Sequence, residues 1–114
     1  MAKVPFSKLN LKVNTEVSTI SCGEYNIEVR KYLPMSEKIQ LIMNILNYAV
    51  DDNGFYNPLK VHTFLVLETV YTYTNLNFTA KMKEDGFKLY DIFMSTGLFE
   101  QIVNCIPSHE WEDL

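Results

Sequence analysis

Residues 59–73 read LKVHTFLVLETVYTY, and after Lys60 the only formal charge among them is Glu68. A helix that is apolar on every side belongs in a core, so a segment this poor in polarity has to be wrapped by the rest of the chain. Its β-branched residues, Val61, Thr63, Val66, Thr69, Val70 and Thr72, favour a strand. Length argues the other way, because strands average about five or six residues and no turn residue divides this run. Asn57 before Pro58 is a helix-start signature: the Asn side chain accepts from orphan amides, and proline sits where no intrahelical donor is needed. The segment reads as a buried helix.

Upstream, Met35, Ile39, Ile42, Leu46 and Ala49 or Val50 recur at steps of three and four, with Leu41 and Ile45 widening the stripe. This predicts an amphipathic helix over 35–50, opened at Pro34 or Ser36 after the break at Leu33-Pro34 and ended by Asp51-Asp52-Asn53-Gly54. Earlier still, Leu9, Leu11 and Val13 alternate with Lys8, Asn10, Lys12 and Asn14. Tyr25, Ile27 and Val29 repeat the alternation, which is the period of a strand with one buried face. Val17 to Ser21 reads as a further strand, with Cys22-Gly23 supplying the hairpin turn.

Downstream, Thr79 or Asp85 supplies the next helix cap, and Phe87, Tyr90, Ile92 or Phe93 and Met94 mark a helix over 85–96 that Gly97 stops. Leu98, Phe99, Ile102, Val103 and Ile106 form a shorter helix before Pro107, and residues 108–114 a last turn around Trp111. Strands first and helices after give an α+β domain: a small N-terminal antiparallel sheet or hairpin followed by a cluster of about four helices. One domain is expected over 1–114, with the sheet at 9–31 and helices over 35–113. Residues 1–8 are either a frayed end or an arm that adds a strand to a neighbour's sheet edge.

At 114 residues the chain suits one independent core, and 47% hydrophobic content with four Gly and four Pro lies far from disordered compositions. Charge is split: residues 1–33 carry five basic and three acidic groups, residues 34–114 five and eleven. The net charge of −4, with no Lys/Arg cluster, argues against nucleic acid as a direct partner. Cys22 and Cys105 stand far apart without further ligand residues and read as reduced thiols. The N-terminus lacks a signal-peptide layout and the apolar helix is too short to span a bilayer, so an intracellular protein without membrane contact is expected.

No motif carries chemistry. Asp51-Asp52-Asn53-Gly54 has the look of a calcium loop, but position twelve from Asp51 is His62 where a Glu is required, so it reads as a helix-ending turn. His62 and His109 lack the spaced partners of a zinc site, and Cys105 lacks a neighbouring base. Glu84, Asp85, Asp91 and Glu100 read as solvated helix faces. The expectation is a protein without metal, cofactor or enzymatic activity.

Seven Tyr and seven Phe are a surplus. Aromatic side chains fill cores and are also enriched where a protein buries a face against a partner. Phe6, Phe55, Tyr56 and Trp111 fall in predicted loops or termini and are the candidate partner contacts.

Finally, Ile27-Glu28-Val29-Arg30-Lys31-Tyr32-Leu33-Pro34 with Glu37-Lys38, then residues 52–56, Tyr73-Thr74-Asn75, Leu89-Tyr90-Asp91 and Ile106-Pro107, resemble a family of small uncharacterised proteins of tailed phages and prophages of Gram-positive bacteria. The resemblance covers residues 20–114 and implies a setting rather than a mechanism. It gives the expectation of a non-enzymatic virion or assembly component that binds a phage structural protein or copies of itself, in the host cytoplasm or carried into the virion. The alternative is a phage-encoded inhibitor of a host enzyme or defence complex, for which an acidic surface serves as a decoy.

Overall fold

The computed structural model describes residues 2–112. Residues 1, 113 and 114, which the expected arm, helical region and last turn would include, lie outside that range. Two strands, β1 (Val17–Cys22) and β2 (Tyr25–Arg30), precede α1 (Met35–Ala49), α2 (Pro58–Tyr73), α3 (Ala80–Glu84), α4 (Gly86–Ser95), α5 (Leu98–Cys105) and α6 (His109–Glu112). The architecture is α+β, with four helices of two turns or more and two single-turn pieces.

The central helix is where the sequence places it. No residue of α2 from Thr63 onward is exposed, and Val66, Leu67, Val70 and Tyr73 join Leu41, Ile45, Phe93 and Ile102 in one core. Its buried threonines are accommodated by back-bonding: Thr63 and Thr69 donate their hydroxyls to the Leu59 and Leu65 carbonyls at 2.8 and 2.6 Å. The hydroxyls of these buried residues are thereby satisfied within the helix itself. Asn57 caps the first turn, its side chain accepting from the amides of Leu59 and Lys60.

Three further termini are set locally. Thr79 and Asp85 cap α3 and α4 by accepting from the amides of Met82 and Lys88. Gly97 stands between α4 and α5 at φ 75°, a left-handed conformation that costs glycine least. At the other end of α4, a Cβ on Gly86 would lie 3.0 Å from the Leu67 side chain, so the absence of a side chain lets α4 start against α2.

β1 and β2 pair antiparallel from Val17↔Arg30 to Cys22↔Tyr25 around Gly23, which takes φ 61° as the first central residue of a two-residue turn. The far edge of β2 is covered. Val29 bridges Thr74, the Asn75 amide donates to the Glu28 carbonyl, and the Glu28 amide donates to the Asn75 side chain at 2.9 Å. Beyond β1, among the described residues, nothing pairs.

Two expectations are corrected. The alternation of Leu9, Leu11 and Val13 does not make a strand: residues 6–9 form a 3-10 turn, Asn10 is left-handed at φ 54°, and residues 10–16 belong to no element. A strand needs a ladder partner and a surface to cover its apolar face, and this chain brings neither to the segment. The second concerns α1, which is rotated from the expected face. Leu41, Ile45 and Ala49 point inward together with Lys38, while Met35 and Ile39 lie on the outside.

Candidate interaction surface

Three features could carry function: a buried charge cluster, a polar cleft and an exposed apolar surface. In the first, Glu110 of α6 is fully buried and its carboxylate gathers three donors from distant parts of the chain. It accepts from the Leu33 amide at 3.1 Å and the Tyr73 hydroxyl at 2.9 Å, and both its oxygens lie 3.4 Å from the Lys38 ammonium. Lys38 is equally buried and also lies 4.8 Å from the centroid of the Tyr32 ring. Full burial leaves no room for a substrate beside these groups. The cluster clips α6 to α1, α2 and the end of the hairpin, which is a structural role.

The cleft lies between α1, α2 and α3, with a volume of about 420 Å³ and walls that include Tyr48, Phe64, Tyr71, Glu68 and Lys83. Burial raises the Glu68 carboxyl above its ordinary value, against the hydrogen bond from the Asn44 amide at 3.3 Å and the charge of Lys83. Burial likewise raises the Tyr71 hydroxyl, helped by Glu68 and Tyr48. A carboxylate among aromatic rings suits a cation. The chain supplies its own: the Lys83 ammonium sits 4.6 Å from the Tyr71 ring centroid. Among the described residues no group of three His, Cys, Asp or Glu could hold a metal. The Asp51 carboxylate is taken up by the turn it sits in, accepting from the amides of Asn53 and Phe55 at 2.9 and 3.0 Å.

The third feature is apolar and open. Met35, Ile39 and Met43 stand four residues apart on the outer side of α1, each more than half exposed. At the end of that helix Val50 bridges Tyr56, and Phe55 next to it is 72% exposed. The loop that carries Phe55 and Tyr56 is held in shape by the Asp51 bonds, so both rings stand on a fixed turn. An apolar surface that a protein leaves in water along a helix and a fixed loop is the ordinary form of an interaction site.

Of the four candidate contacts, Phe55 and Tyr56 are thus both exposed, on the loop that follows α1. Phe6 is 70% exposed but stands on the N-terminal segment, where every residue from 2 to 16 is exposed. Trp111 stands apart from these, half-buried. It packs against the core with its ring centroid 6.4 Å from that of Tyr73, and its indole N–H is buried without a partner among the described residues. The turn that ends in Trp111 is drawn inward by Glu110 next to it, which a reading of loops and termini does not foresee.

The α1 residues were missed as a surface because a three- and four-residue step fits either side of a wide stripe. The signal was present in the width itself. Apolar residues at 35, 39, 42, 43, 46 and 50 together with 41, 45 and 49 cover more of the circumference than a single core contact needs.

His62 of α2 meets the Tyr90 hydroxyl of α4 through Nε2 at 3.0 Å, tying two helices together. No disulfide links Cys22, which is exposed, or Cys105, which is half-buried. No helix among the described residues is long and apolar enough to cross a membrane. No family model, curated protein or solved structure matches the chain.

Proposed function

We propose that this protein acts without catalysis, by docking on other proteins through the apolar surface of α1 and the loop after it, as a virion or assembly component of a tailed phage. The observation that carries the reading is the line of Met35, Ile39 and Met43 left in water along α1, together with the exposed Phe55 and Tyr56 on the loop that follows it. Burying a large apolar side chain is worth about 1.5–3 kcal/mol, so a few of these five supply the anchors of a specific interface. The phage setting rests on the resemblance over residues 20–114.

The test is stoichiometry and loss of docking. Mass spectrometry of purified particles, and of assembly intermediates trapped before maturation, should find the protein in fixed proportion to a structural protein. Ile39→Lys and Met43→Lys should remove it from both while its melting temperature is kept. Absence from every particle form, together with co-purification of a host enzyme, would replace the assembly reading by the inhibitor.

A further inference from the structure

β1 leaves one edge of the hairpin open, and the hydrogen-bond register shows which groups lie along it. The Lys31 amide donates to the Glu16 carbonyl at 3.1 Å, in line with the pairing Val17↔Arg30. Directly opposed residues in an antiparallel ladder alternate between bonded and non-bonded pairs, so Ser18, Ile20 and Cys22 bond to β2. The N–H and C=O groups of Val17, Thr19 and Ser21 therefore point away from it. Natural edge strands are guarded by charges, proline or a bulge. β1, with the sequence VSTISC, has none of these.

The same chain carries a spare segment with the pattern of a strand. Leu9, Leu11 and Val13 alternate with Lys8, Asn10 and Lys12, and all of residues 2–16 are exposed, Leu11 by 65%. The radius of gyration is 17.0 Å, against about 13 Å for a compact chain of this length. Folding back onto its own β1 would need a tight turn at Asn14-Thr15. Such turns take positive φ, which a β-branched Thr resists, and here Asn14 instead accepts from the Glu16 amide at 2.8 Å. Residues 2–15 hold three lysines and no acid, whereas residues 34–114 carry a net −6. Opposite charge draws the segment to an acidic body of this kind, and the disfavoured turn at Asn14-Thr15 makes the edge of a second molecule the one it can pair with.

We infer that residues 8–13 of one copy add as a strand to the open β1 edge of a second copy, so that the protein self-associates by exchanging N-terminal arms. Lys8, Asn10 and Lys12 stand opposite the outward-facing Val17, Thr19 and Ser21. Leu9, Leu11 and Val13 then extend the face on which Ile20, Ile27 and Val29 lie. This deepens the proposed docking function by naming a second copy as one partner, through a surface separate from α1.

The test uses the full chain, a form beginning at residue 15, and Thr19→Pro. Proline at 19 removes an amide that faces outward and spares every bond between β1 and β2. Light scattering at micromolar concentration should give an oligomer for the full chain and single chains for both variants, with circular dichroism and melting unchanged. Hydrogen exchange at Thr19 and Ser21 should be slow in the full chain and fast in the truncated one. A full chain that stays monomeric, an oligomer that survives both changes, or a monomer whose arm amides are already protected would overturn the inference. Ile39→Lys separates the two proposals. If it alone abolishes docking on particle proteins while the full chain is monomeric, the arm inference falls and the docking reading stands. If arm-dependent oligomers form and Ile39→Lys leaves particle binding intact, the docking reading falls.

Discussion

Glu110→Gln is the sharpest perturbation this fold offers. The amide keeps an oxygen for the Leu33 amide and the Tyr73 hydroxyl but withdraws the negative charge that both carboxylate oxygens hold 3.4 Å from the Lys38 ammonium. Both side chains are only 1% exposed, so water does not compensate. Removing one member of a buried pair costs about 3–5 kcal/mol, and the lower figure applies because the neutral acceptor is kept. Lys38→Met removes the other charge and costs about 3 kcal/mol for the same reason. The double variant K38M/E110Q leaves neither charge of the pair behind, retains the acceptor, and should cost only about 1 kcal/mol. Urea denaturation read by circular dichroism gives the three values, and their cycle should show a coupling of about 5 kcal/mol. In a thermal scan Glu110→Gln alone should lower Tm by roughly 12 °C. If Glu110→Gln stays within about 0.5 kcal/mol of the wild type, or the double variant equals the sum of the single ones, the clip does not hold the fold as described.

Burial raises the Glu68 carboxyl in the folded chain, so folding takes up a proton there: stability from this group is present below the ordinary carboxylate value and lost as pH rises through the raised one. Glu68→Gln should therefore gain stability relative to the wild type as pH rises from the acid side of that range to neutrality, which paired denaturation curves at each pH will measure. Trp111→Ala should cost about 2–3 kcal/mol as a core truncation, whereas Trp111→Phe, which also removes a buried N–H that has no acceptor among the described residues, should cost under about 1 kcal/mol in the same assay. Phe55→Ala and Tyr56→Ala should leave stability within about 0.5 kcal/mol and weaken partner capture in a pull-down from infected cells. Arg30 and Glu37 meet side by side at 3.1 and 2.9 Å but are substantially exposed, so Glu37→Gln should cost about 0.5 kcal/mol, declining as salt is added to the denaturation buffer.

What was legible in the chain is what neighbouring residues determine. Asn57-Pro58, Asp85 and Gly97 act through backbone groups within a turn, so the starts of α2 and α4 and the stop of α4 could be read directly, whereas Thr79 caps the short α3, which the sequence reading does not separate from α4. The long apolar run of α2 needs a surrounding core whatever that core is made of. Illegible were the decisions taken between distant residues. Lys38 and Glu110 are separated by 72 positions, and a charged residue taken alone reads as surface. Their meeting goes with a helix face on which Lys38 lies under cover beside Leu41, Ile45 and Ala49, and Met35 and Ile39 lie outside. Trp111 is carried inward with its neighbour for the same reason. The alternation at Leu9 to Val13 is a true strand pattern, but whether a strand forms depends on a partner edge that this chain does not bring to it. The exposed apolar side chains were therefore half visible, as Phe55 and Tyr56, and half hidden on α1.

Because one carboxylate secures Leu33, Lys38 and Tyr73 together, the interior cannot close in the order in which it is synthesised. A ribosome that has released the hairpin and the first four helices has delivered the lysine and the tyrosine but not the acid that joins them, which lies 37 positions beyond Tyr73. Until Glu110 is made, the Lys38 ammonium lacks its counter-charge, so this part of the interior is completed only by contacts that close 72 and 37 positions of chain.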